Sequence, residues 1–117
     1  MLRKLTAAGL SVLAFAVPAH SARAQTAAEW IAKGNIAYEA RNAADAVAAY
    51  DKALALDPNN YEALWRDSRS TVDLASADSN SEQRSAMYKT AQDYAARAVP
   101  ANPNGADGHF VLAESLG

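Results

Sequence analysis

Apolar positions recur along the chain in blocks with helical period. Over Ala27 to Ala40, Trp30, Ile31, Gly34, Ala37 and Tyr38 follow one another at steps that keep to one face, which predicts a first helix. Glu29 and Lys33 form an i,i+4 pair on its outer side. Asn42 can cap a second helix, with Asp45 near its positive end. Ala46, Val47, Tyr50, Ala53 and Leu54 give that helix its apolar face, and Pro58 prevents its continuation much past Leu56. A third helix is expected from near Asn60, carrying Tyr61, Leu64, Trp65, Ser68, Thr71, Val72 and Ala75. The stretch Ser76 to Gln83 is polar apart from Ala77 and reads as a loop. Ser79 and Glu82 have capping-box spacing for a fourth helix, which carries Met87, Tyr88, Ala91, Tyr94, Ala95 and Ala98 and is expected to stop at Pro100. Gly105 and Gly108 read as breakers before a last helix whose inner face would be Phe110, Leu112, Ala113 and Leu116.

Ahead of these helices the pattern changes. Met1 to Lys4 is a short positive region, Leu5 to Val17 is a mainly apolar run, and Pro18 breaks it. Ala22-Arg23-Ala24 then supplies small residues at the spacing a signal peptidase accepts. The run falls short of the ~18 residues that suggest a membrane span. The expectation is a leader over residues 1–24, cleaved before Gln25, with export to the periplasm, or secretion as the alternative.

An internal repeat runs through the remainder. Ala46, Tyr50, Ala53-Leu54 and Pro58-Asn59 recur as Ala91, Ala95, Ala98-Val99 and Pro103-Asn104, 45 residues later. With these spacings the segment Ala27 to Asn60 resembles one tetratricopeptide (TPR) repeat, a unit of 34 residues, aligned without a gap. The resemblance implies an all-α fold, a right-handed superhelix of helical hairpins, with about two repeats and the first helix of a third. It divides the chain into a first repeat over residues 25–60, a second over 61–104 with about eleven extra residues placed near the Ser76–Gln83 loop, and an unfinished third over 105–117. Ser68 and Asp67 depart from the family's usual small and Leu residues, as Lys33 does in the first repeat. A third repeat begun and not completed suggests a fragment of a longer product, with a capping helix as the other possibility.

Composition narrows the class. Half of the residues are hydrophobic, but alanine inflates that share, and 8% are aromatic, so a core would rest on close helix approach more than on large side chains. The absence of cysteine excludes disulfides, thiolate metal sites and a lipoprotein anchor. The net charge of −2 becomes −5 once Arg3, Lys4 and Arg23 leave with the leader, which argues against nucleic acid or an anionic membrane as main partner.

Catalytic chemistry finds no foothold. His20 lies in the leader, and His109 has no second His or Cys with which to share a metal. No HExxH, GxSxG, Walker or dinucleotide-binding pattern occurs, so no catalytic residue, metal or cofactor is assigned. Asp57, Asp73 and Asp93 read as solvated or capping residues, and Tyr50, Tyr88 and Tyr94 as interhelical packing. The TPR resemblance instead implies a concave groove lined by the first helix of each hairpin. Its candidate residues are Ile31, Asn35, Tyr38 and Glu39 in the first hairpin, and Trp65, Arg69, Val72 and Asp73 in the second. Trp65 reads equally as packing against the neighbouring hairpin. Only Asn35 and Arg69 suit a clamp for a C-terminal carboxylate, since Ile31 stands where a Lys would help. The expected function is a non-catalytic scaffold that binds a peptide or partner protein. The alternatives are a module that self-associates through residues 105–117, or the recruiting N-terminal part of a longer envelope protein.

Overall fold

The computed structural model describes residues 24–117. The expected leader, all but Ala24, lies outside them. Among the described residues the secondary structure is α-helical without a strand: α1 (Ala27–Glu39), α2 (Ala43–Leu56), α3 (Tyr61–Ala77), α4 (Ser81–Ala101) and α5 (Ala106–Ser115). Each helix packs on the next in sequence, α5 also lies on α3, and α1 touches α3.

Helix starts are set by side-chain caps. Thr26, Asn42, Asn60 and Asn80 each accept the N–H of the residue three positions on, so an oxygen satisfies a donor that the first turn leaves open. Asn80, not Ser79, caps α4. An amide side chain beside the helix start competes well with a hydroxyl, and Asn80 itself donates its backbone N–H to Asp78 Oδ1 at 2.8 Å. The expected Ser76–Gln83 loop shrinks accordingly to Asp78–Asn80. The eleven extra residues sit in regular helix, since α3 and α4 span 17 and 21 residues against 13 and 14 for α1 and α2. Nor does Pro100 stop α4, which runs to Ala101. In the last turn a proline removes one helical hydrogen bond just before the chain leaves the helix, and the Asn102 N–H still reaches the Ala98 carbonyl at 3.1 Å.

Small residues hold the helices close. Gly34 on α1 lies under the fully buried ring of Tyr50 on α2, which a Cβ there would overlap. The Tyr50 hydroxyl completes that seam by donating to Asn35 Oδ1 at 2.7 Å. On the α3–α4 seam Ala91, Ala95 and Ala98 are fully buried, and the Ser68 hydroxyl donates to the Ala91 carbonyl at 2.8 Å. The small residue expected at position 68 is thus met by a serine that bonds across the contact. Tyr88 and Tyr94 also bridge helices, through Ser76 at 3.1 Å and Asp51 at 3.1 Å.

The last helix turns a different face inward from the one expected. Gly108, Val111 and Ser115 are buried and Leu112 half-buried, whereas Phe110 and Leu116 are 63% and 64% exposed and Ala113 is exposed. The large apolar residues do not set the register of α5, because the contact is so close that glycine and serine belong in it. Gly108 therefore lies inside α5 and does not break it. Its N–H donates to the Tyr61 hydroxyl at 3.0 Å, which serves the start of a helix whose N-cap, Gly105, has no side chain to offer.

Gly34→Ala is expected to lower stability by about 1–3 kcal/mol, the cost of overpacking a close seam. Chemical denaturation followed by circular dichroism measures it, and an unchanged midpoint would contradict the Gly34–Tyr50 contact as described.

Candidate functional site

An open cavity of about 580 Å³ lies between the C-terminal parts of α1 and α3, lined by Tyr38, Glu39, Arg41, Ala43, Asp73 and Ala77. Its shape depends on how α1 ends. Arg41 takes a left-handed conformation (φ 59°), its N–H donates to the Tyr38 carbonyl, and the Asn42 N–H donates to the Ala37 carbonyl, both at 2.9 Å. This is the Schellman arrangement, in which the left-handed position ordinarily belongs to glycine. An arginine there carries backbone strain and places its side chain at the cavity rim.

The eight candidate groove residues divide into distinct environments. Tyr38, Glu39 and Asp73 line the cavity. Arg69 lies over the Tyr38 ring at 3.6 Å and within 4.9 Å of the Trp65 centroid, so two aromatic faces hold its guanidinium. It has no hydrogen-bond or ion-pair partner among the described residues, and its Nε is buried. Asn35 is half-buried and engaged with Tyr50. Ile31, Trp65 and Val72 are buried, at 5%, 9% and 7% exposure, and the first two belong to the central apolar cluster. Trp65 thus packs within the core, where the guanidinium of Arg66, itself paired with Glu62 at 2.9 Å, also lies over its ring. Arg41, Ala43 and Ala77 were not foreseen. Nothing in Ala40-Arg41-Asn42 signals a left-handed arginine, and Ala77 lies in a stretch whose composition is that of a loop.

A second cluster went unrecognised. Asp67 on α3 is fully buried, and Thr71 one turn on donates to its Oδ1 at 3.2 Å, while its Oδ2 has no conventional donor. Burial, and then the neighbouring Asp51 on α2, push the Asp67 carboxyl up to about 9, so at neutral pH Asp67 keeps its proton. Tyr94 on α4 donates to Asp51, and its own pKa is raised by burial and then by Asp67 and Asp51; Arg97 on the same helix opposes that shift. Tyr50, raised by burial against the pull of Arg66 and Arg69, also faces this region. The cluster brings together residues of three helices, Asp51 of α2, Asp67 of α3 and Tyr94 of α4. Among the described residues no three His, Cys, Asp or Glu side chains gather to hold a metal ion, and no helix is long and apolar enough to cross a membrane. His109 is exposed, with Nε2 donating to the Pro103 carbonyl at 2.8 Å.

The class defined by these features is a small all-helical domain of packed hairpins with a polar cavity at one side. Within it, residues 25–117 match the model of the RMD1-3 family, Regulator of microtubule dynamics protein 1-3. The chain belongs to that family. The match overturns the assignment to TPR proteins suggested by Ala27 to Asn60. Small residues facing aromatics at helical spacing are what any two closely packed helices require, as Gly34 and Tyr50 show, so the pattern reports the packing and not the family. A search of curated proteins finds no match.

The raised pKa of Asp67 makes stability depend on pH in a defined sense. Its contribution is fully present below the unfolded value of 3.8 and is lost as pH rises towards the folded value of about 9. Acidification from pH 8 to 5 is therefore expected to stabilise the protein through this group, by at most about 1.4 kcal/mol per pH unit. Asp67→Asn is neutral at every pH and does not titrate, so it should raise stability at pH 8 and flatten the profile. Denaturation midpoints for both proteins from pH 5 to 8 would reveal it, and parallel profiles would refute a buried Asp67 that keeps its proton.

Proposed function

We propose that the protein is a non-catalytic scaffold that holds an acidic segment of a partner protein in the cavity between α1 and α3. The observation that carries this reading is a pair of arginines without ion-pair partners. Arg69 is fixed against Tyr38 and Trp65, Arg41 stands at the rim, and neither has an ion-pair or hydrogen-bond partner among the described residues. A preorganised guanidinium loses little freedom when it meets a carboxylate, which favours recognition at this place. Tyr38 offers apolar area beside it, while Glu39 and Asp73 can accept N–H groups from the bound segment.

Winding of the hairpins into a right-handed superhelix belongs to this reading, with the cavity on its concave side. So does export: the family match begins at Gln25, the residue that would follow cleavage of the leader. The family's description, regulators of microtubule dynamics, concerns proteins that act on a protein polymer, which supports a protein partner here.

Arg41→Gly separates binding from folding. Glycine relieves the left-handed backbone, so the variant should gain up to about 1 kcal/mol in stability. It should nevertheless lose the proteins that the wild-type chain retains in an affinity capture from its native extract. Retention of the same proteins by Arg41→Gly and by Arg69→Gln would sink the cavity as the binding site.

A further inference from the structure

The exposed large apolar side chains among the described residues are Ile36, Leu56, Phe110 and Leu116. Ile36 belongs to a second cavity of about 440 Å³, between α1 and α2 on a different face from the arginines, where Trp30, Ala37 and Ala49 also line the wall. Its charge is mainly positive. The ammonium groups of Lys33 and Lys52 lie 4.8 and 5.9 Å from the Trp30 ring centroid, while the one acid, Asp45, is engaged by Asn42 at 2.7 Å.

Phe110 on α5 and Leu116 at its C-cap stand in the opposite setting. The segment 105–117 contains Asp107 and Glu114 and no Lys or Arg, and both acids are exposed beside Phe110 and Ala113. An apolar, acidic helix face and an apolar, basic groove are complementary. They cannot meet within one molecule as described, because α5 packs on α3 and α4 alone, while α1 packs on α2 and touches α3.

We propose that the occupant of the α1–α2 groove is α5 of a second copy of this chain, with Phe110 against Trp30 and Ile36, and with Glu114 and Asp107 towards Lys33 and Lys52. Such a contact joins two different surfaces, so it leaves the helix of one copy and the groove of the other unfilled and association continues head to tail into rings or open chains. It uses neither Arg41 nor Arg69 and stands independently of the binding reading above.

The test is the size of the full chain against concentration, by sedimentation velocity, for the wild type and two exposed variants. Ile36→Asp spoils the groove and leaves α5 intact; Phe110→Asp does the reverse. The wild type should grow beyond twice the monomer mass, and each variant alone should remain monomeric. An equimolar mixture of the two should form a complex of two copies and go no further, since only one productive pairing exists. Glu114→Lys replaces Phe110→Asp should circular dichroism show that variant unfolded. A wild type that stays monomeric, association that survives both substitutions, or a mixture that fails to pair would each overturn the proposal.

Discussion

Close approach of helix backbones is the constraint on which this structure depends. A core in which Ala46, Ala53, Ala63, Ala75, Ala91, Ala95 and Ala98 are fully buried removes little apolar area per residue. Dispersion can compensate only where the backbones themselves come into contact, and that demands small residues on both sides of each seam. Gly34 beneath Tyr50, Ser68 against the Ala91 carbonyl and Gly108 beside Tyr61 are three answers to that demand. The same closeness explains why so few large apolar residues suffice, and why a methyl group in the wrong place does harm.

Polar bridges are the complement of that close packing. Tyr50, Tyr61, Tyr88 and Tyr94 each put a ring into or beside a seam, with the hydroxyl bonded to a different helix. A tyrosine thus adds the area that alanine lacks and fixes the register as well. Asp67 is the costly member of the set. Its burial is tolerable because it keeps its proton, so the interior holds a neutral acid there and not a charge.

Most of the fold could be read from the residues because helical period and capping are local. The helix starts after Asn42 and Asn60 follow directly from one side chain and the N–H three residues on. What escaped depends on contacts distant in sequence. Which face of α5 turns inward is decided by the space beside Tyr61 and Ala98, not by the hydropathy of Phe110 and Leu116. The length of α3 and α4 depends on how far two helices can continue to bury each other, and polar residues at their ends conceal it. Asp67 was legible in part: its spacing from Leu64, Thr71 and Ala75 sets it on the inner face, but its meeting with Asp51 comes only from the tertiary fold.

The candidate site was legible where it rests on side chains of α1 and α3, as with Tyr38, Glu39, Arg69 and Asp73, and hidden where it rests on backbone. Arg41 is the informative case. Glycine would fit its left-handed position with less strain, and the Schellman bonds to Tyr38 and Ala37 would form equally well. Folding alone therefore gives no reason for arginine at this turn. Its strained backbone carries a guanidinium to the rim of a cavity whose neighbouring arginine is already locked between two rings. Strain kept beside a preorganised guanidinium is what recognition requires and what packing would discard, and that contrast is why this end of α1, rather than the apolar centre of the hairpin, is the place to look for a partner.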